Sequence, residues 1–232
     1  MKRKDILIIA HRGASKSAPE NTMKAFKRAI ELNADYIEFD VHETKDGEIV
    51  IMHDENTHRT TGVEGEIKEM TLDELKELEC GKGEKIPTLK ELISLAKGKI
   101  GLQCEIKVEG ITEKIVSLFE QEDMIDDVLI SSFKRQEIFK INQLNPDIKL
   151  ASLFIGLIRK SKRIEEAINN NLFALHPFHW FASNKFIKKA HEHGIKVNSW
   201  TVDSAERIKK LVNKGVDGII TNDVKAAKKP FH

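Results

Sequence analysis

A chain of 232 residues is long enough for one large core, or for two domains. Charged residues make up 32% and hydrophobic residues 40%, and the net charge of +1 excludes a bulk electrostatic pull toward nucleic acid or an anionic membrane. Two cysteines, Cys80 and Cys104, suggest neither a disulfide framework nor a zinc site, so a reduced, cytoplasmic setting is expected, and no apolar run reaches transmembrane length.

The start, Met1-Lys2-Arg3-Lys4, is basic, but the apolar run after it is too short for a signal-peptide core and is interrupted by His11-Arg12-Gly13. Asp5–Ala10 reads instead as a continuously apolar strand of the kind found in parallel sheets. Met23–Ile30 then has helical periodicity. Asn21 or Thr22 can cap it, and Glu20 suits its positive end.

Tyr36–His53 organises the rest. Tyr36, Ile37, Phe39 and Val41 are strand-favouring types, with Glu38 and Asp40 set among them. Side chains two apart on a strand share a face, so these carboxylates lie together with Cα atoms roughly 7 Å apart. Buried like charges need a partner, and a divalent cation is the simplest one. Lys45-Asp46-Gly47 reads as a turn, and Ile49–Met52 as a returning strand. Counting back from Asp46-Gly47, position 53 falls about level with position 40, which delivers His53 beside the acids.

Residues 54–86 fit no strand–helix repeat and read as an insertion, with one helix-like piece at Thr71–Leu78. Pro87-Thr88 opens a helix through Ala96. From there strands are expected at Ile100–Ile106, Val128–Ser131, Lys149–Phe154, Leu172–Leu175, Lys196–Trp200 and Val216–Ile220. Helices are expected between them at Ile111–Gln121, Arg135–Leu144, Arg163–Asn169, Asn184–His193 and Ser204–Lys214, with a short last one near Val224–Lys228. With the strands at Asp5 and Tyr36 this makes eight strand–helix units. The pattern predicts a (β/α)8 TIM barrel in a single domain spanning 1–232, with a small insertion after an extra hairpin strand that follows the second barrel strand. A doubly wound open sheet is disfavoured, because the glycine-rich turn it would carry after its first strand is missing.

Barrel enzymes place their sites at the carboxyl ends of the strands. Read in order, those ends carry His11 and Arg12, Glu38 and Asp40, Glu105 and Lys107, Phe133, His176 and Trp200. Glu38, Asp40 and Glu105 can hold one hard cation through oxygen, which favours Mg2+ or Ca2+ over structural zinc. Arg12 and Lys107 suit a phosphoryl oxyanion. His11 and His53 supply a general acid and a general base. The set points to cleavage of a phosphate ester.

The motifs H-R-G-A at 11–14, P-E-N-T at 19–22, E-F-D-V-H-E-T-K-D-G at 38–47, H-D-E-N-T-H-R-T-T-G at 53–62 and E-I-K at 105–107 resemble those of the glycerophosphodiester phosphodiesterases. Weaker matches at 86–92, 131–133, 198–203 and 217–222 extend the similarity over nearly the whole chain. The resemblance implies a barrel with an insertion, His11 and His53 as acid and base, Glu38, Asp40 and Glu105 as metal ligands, and Arg12 and Lys107 as phosphate contacts. It implies a small-molecule glycerophosphodiester substrate, cleaved to an alcohol and glycerol 3-phosphate. The alternative is a phospholipase D-like or lysophospholipase D-like activity on a lipid phosphodiester.

Phe133 and Trp200 are candidates for an apolar wall against the glycerol carbons. His176 either lines the pocket or packs against Trp180. The aromatic run Phe173–Phe181 is read as pocket wall. His42, His58, His179, His191, His193 and His232 are read as surface residues, and Cys80 and Cys104 as small core or loop residues.

Overall fold

Strand β1 (Leu7–His11) pairs in parallel with both β2 (Tyr36–Glu43) and β9 (Gly218–Thr221), and that double pairing closes the sheet on itself. Between them, in order around the ring, stand β4 (Gly101–Ile106), β5 (Val128–Ser132), β6 (Lys149–Phe154), β7 (Ala174–Pro177) and β8 (Lys196–Ser199). Among the described residues eight strands are parallel and only β3 (Ile49–Ile51) is antiparallel, pairing with β2 outside the ring. The computed structural model describes residues 6–156 and 160–229, so the basic start, the expected beginning of the first strand at Asp5, and His232 lie outside the described residues.

Helices alternate with the strands: α1 (Met23–Glu31), then α2 (His58–Thr61) and α3 (Leu72–Glu77) in the insertion, and α4 (Leu89–Ala96). They continue with α5 (Thr112–Gln121), α6 (Arg135–Leu144), α7 (Lys160–Asn169), α8 (Asn184–His191), α9 (Ala205–Asn213) and α10 (Val224–Lys228). The caps explain several starts. Thr22 Oγ1 accepts from Ala25 N–H, while Thr71 and Thr88 each build a reciprocal box with the glutamate three residues on. The architecture is a (β/α)8 barrel.

The core lies between barrel and helices. The outward residues of β2, Ile37, Phe39 and Val41, join Phe26 of α1, Leu92 of α4 and Phe119 of α5 there. Inside the barrel, the amino-terminal end is plugged by Leu129, Ala151 and Ala174 against Tyr36 and Phe173. The Tyr36 ring covers Gly101 so closely that a Cβ there would fall 2.5 Å from it. One end of the barrel is therefore closed by carbon, and the ionisable side chains of the site gather at the other.

Two expectations shift. The hairpin loop holds three residues, not two: Thr44 N–H donates to Glu48 O, and Gly47, at φ 83°, donates to Thr44 O. Val41 thus faces Ile51, and Met52 rather than His53 stands level with Asp40, its N–H donating to Asp40 O at 3.1 Å. Met52 turns into a small second core with Val50, Ile67, Leu75, Cys80 and Ile86, which anchors the insertion. The seventh strand runs over 174–177 instead of 172–175, so His176 lies inside the strand and is fully buried.

Candidate active site

The turn after β1 is set by two left-handed residues, Arg12 at φ 55° and Gly13 at φ 78°. A Cβ on Gly13 would sit 2.7 Å from that of Ala25, so only glycine lets the turn pack on α1. The turn points Arg12 N–H at Glu38 Oε2, 2.8 Å away. His11 Nδ1 lies 2.7 Å from Asn222 Oδ1, just past β9. Asn222 Nδ2 donates to Asp203 Oδ2 at 2.7 Å, which fixes the amide so that its oxygen faces His11. Nδ1 of His11 therefore carries the proton, and Nε2 is left for chemistry.

Glu38, Asp40 and Glu105 offer carboxylate oxygens within 4.8 Å of one another, and all three are buried. Burial and the adjacent Asp40 push the Glu38 carboxyl up to about 8 and the Glu105 carboxyl up to about 7. Arg12 Nε stands 3.4 Å from Asp40, and Lys107 Nζ stands 2.9 Å from Glu105 and 3.5 Å from Asp40. Although burial opposes it, Glu105 and Asp40 raise the Lys107 ammonium, so it stays charged. Asn21, at φ 54°, donates its amide to Asp40 Oδ2 at 2.9 Å; the cap of α1 falls to Thr22, and Asn21 serves the site. Three acids against two cations, with all-oxygen donors at this spacing, fit one hard divalent ion.

His53 follows β3, and its Nδ1 donates to Asp54 Oδ1 at 2.5 Å. Its backbone oxygen accepts from His42 Nε2 at 3.2 Å. His42 is 2% exposed, contrary to the surface position expected, because it lies beneath this segment. Burial first, and Arg12 next for His11, lowers the imidazoles of both His11 and His53 below their ordinary value, so both are largely neutral near pH 7.

His11, Arg12, Glu38, Glu105, Lys107 and His53 all line one small cavity of about 50 Å³, together with Phe133 and Trp200. Phe133 and Trp200 meet edge to face, with ring centroids 5.4 Å apart. His176 does not line the cavity. Burial pushes its imidazole down to about 3, and its backbone oxygen accepts from Trp200 Nε1–H at 2.8 Å. It packs under Trp200, and Trp180 instead stacks with Arg207, 4.3 Å from ring to guanidinium. Three larger hollows, about 380, 330 and 300 Å³, open at Trp180–Arg207, at His42–Lys68 and at Ser17–Glu84, but none holds the acid trio. The chemistry of the lining, not volume, identifies the site.

The sequence assigns no site role to Asn222, Asp203, Asp54, Arg59 or Gln103, and it gives Glu20 only to the positive end of α1. All but Gln103 stand inside the quoted motifs, so the signal was there without a site role attached. Gln103 is 1% exposed, lines the cavity, and has a side-chain oxygen with no partner among the described residues.

A closed barrel whose carboxyl rim gathers two imidazoles, three acids and two cations defines a phosphoester-cleaving TIM-barrel enzyme. A model of the "Glycerophosphoryl diester phosphodiesterase family" matches residues 11–226. A glycerophosphodiester phosphodiesterase of Caldanaerobacter subterraneus subsp. tengcongensis is 40% identical over 231 residues, covering 94% of each chain. One from Bacillus altitudinis is 31% identical, over 93% of this chain and 94% of its own. Among solved structures, an Oleispira antarctica phosphodiesterase in complex with the product sn-glycerol-3-phosphate superposes with a TM-score of 0.89 at 29% identity, over 96% of this chain and 95% of that one. The chain belongs to the glycerophosphoryl diester phosphodiesterase family. It is an enzyme of that activity, a phosphoric diester hydrolase.

Proposed function

We propose that this enzyme hydrolyses small, water-soluble glycerophosphodiesters to an alcohol and glycerol 3-phosphate through His11 and His53, with one divalent cation, Mg2+ or Ca2+, held by Glu38, Asp40 and Glu105. The observation that carries the reading is the meeting of both imidazoles and the acid trio around one cavity, from four separate stretches of chain. The cation, when bound, polarises the phosphoryl group and neutralises its developing charge. Arg12 and Lys107 take the non-bridging oxygens, and both are held in place by the acids. His11 and His53 both present Nε2 and act as a pair: one, as the neutral imidazole, takes the proton of the attacking oxygen on Nε2, and the other, entering the step as its imidazolium, gives its Nε2 proton to the leaving alkoxide.

Phe133 and Trp200 form the wall for the glycerol carbons, and His176 supports Trp200 from behind rather than touching substrate. The product complex of the Oleispira antarctica phosphodiesterase supports a glycerol 3-phosphate product. Among the described residues no helix is long and apolar enough to cross a membrane. A cytoplasmic setting accords with two free, buried cysteines.

The test is turnover of glycerophosphocholine and glycerophosphoethanolamine with and without EDTA, beside a lysolipid. Activity on the deacylated diesters that EDTA abolishes and Mg2+ or Ca2+ restores supports the reading. Full activity in chelator removes the cation from it, and faster turnover of the lysolipid favours the lipid alternative.

A further inference from the structure

We infer that Arg59, in the insertion, is a shared positioning residue that sets Arg12 and His53 at once, so that the insertion controls both substrate hold and proton transfer. The inference rests on the roles proposed for Arg12 and His53.

Arg59 lies on α2, a single turn held firmly from within. Thr57, fully buried, donates its hydroxyl to Val63 O at 2.6 Å and its N–H to Gly65 O at 2.9 Å. From that turn the guanidinium reaches two carboxylates. Its Nε donates to Asp54 Oδ2, and its Nη2 donates to Glu20 Oε1 at 2.6 Å. Each carboxylate has a second partner inside the site. Glu20 Oε1 also accepts from Arg12 Nη1 at 3.0 Å, and Asp54 Oδ1 accepts from His53 Nδ1 at 2.5 Å. The result is an unbroken row, Arg12–Glu20–Arg59–Asp54–His53, in which guanidinium and carboxylate alternate up to the His53 imidazole, with both ends at the cavity.

Arg59 is half exposed, and an exposed ion pair contributes little to stability, so its value lies in geometry. A planar guanidinium fixes two carboxylates at a set separation and angle; a lysine ammonium does not. Without Arg59, Glu20 is left to Arg12 alone and draws that side chain away from the phosphate. Asp54 also loses the donor that locks it, and the His53 ring loses its fixed orientation. The first loss falls on KM and the second on kcat.

The test compares Arg59→Met and Arg59→Lys in wild-type, Glu20→Gln and Asp54→Asn backgrounds, using glycerophosphocholine and the metal-loaded enzyme. Arg59→Met should lower kcat by about tenfold or more and raise KM several-fold, the range of a support residue behind a catalytic group. Arg59→Lys should keep the wild-type Tm and recover neither constant. In the Glu20→Gln background the KM effect of Arg59→Met should vanish and the kcat effect persist; in Asp54→Asn the reverse. Added guanidinium should restore part of the lost rate to Arg59→Met. Proton NMR gives a readout independent of turnover: the downfield His53 Nδ1–H resonance should be present in wild type and broadened away in folded Arg59→Met. Wild-type kcat and KM in Arg59→Lys, or an unchanged His53 resonance in Arg59→Met, overturns the inference. Failure of the wild-type enzyme to turn over any glycerophosphodiester overturns the functional reading instead and leaves the NMR test standing.

Discussion

The two sides of the barrel mouth differ in kind. On the side of β1, β2, β3 and β4 every side chain turned to the cavity is ionisable or amide: His11, Arg12, Glu38, His53, Gln103, Glu105 and Lys107. On the side of β5 to β9 the lining is Phe133, Leu153, Trp200 and Ile220, without a charge among them. In the proposed function the first side does the acid–base and phosphate chemistry, and the second offers a surface for carbon. A diester with a charged centre and two organic arms needs both, and the split says which residues govern rate and which govern fit.

Breaking the charged side should cost most. His11→Gln and His53→Gln should each lower kcat by about 10²- to 10⁴-fold, the usual worth of a positioned acid or base. The Tm of each variant should stay near wild type, as thermal unfolding will show.

The acids come next. Glu105→Gln should weaken cation affinity by at least about tenfold, equivalent to ~1.4 kcal/mol, measured by calorimetry. It should also stabilise the metal-free protein near pH 8, because one of three crowded negative charges is gone.

A pH series sharpens the same point. Glu38 and Glu105 titrate at about 8 and about 7 in the fold, above the ordinary 4.5. The metal-free fold therefore holds protons that the unfolded chain releases. From these two groups, stability is full below pH 4.5 and is lost as pH rises through about 7 and then about 8. A cation must displace those protons. Its affinity should climb up to about tenfold per pH unit for each proton displaced between pH 6 and 8, then level off. Melting in chelator and titration calorimetry across that range check both slopes.

The neutral side should give the smallest effect. Trp200→Phe removes the hydrogen bond to His176 O, worth about 0.5–1.5 kcal/mol, and keeps an aromatic face. KM should rise a few-fold with kcat unchanged, and the ranking of alcohol head groups should move more than the rate.

Much of this was legible in the chain because strand alternation is a strict rule. Glu38 and Asp40 had to share a face, and β-strand ends had to share a rim, so the acids, Arg12 and Lys107 could be placed before any coordinates. The hairpin was misjudged by one residue because Asp-Gly is also at home in a three-residue loop, where only Gly47 needs φ > 0. His53 reached the cavity all the same, since it lies beyond β3, where strand alternation no longer dictates direction. His176 was misplaced because Leu172-Phe173 is as apolar as a strand but lies before it, and its true neighbours, Asn198 and Trp200, come from another strand. Supports such as Asn222 and Arg59 lie in the quoted motifs, yet their roles were not legible for a related reason: their partners are set by how loops fold back, and no periodicity governs that.

The brace on His11 ties residue 11 to residue 222, a separation of 211 positions. A ribosome-bound chain therefore carries this histidine long before it can orient it, because the ninth strand must first emerge and join the first. With His11 in its proposed role, catalytic competence waits on that closure, and turnover is a stringent reporter that the ring has shut.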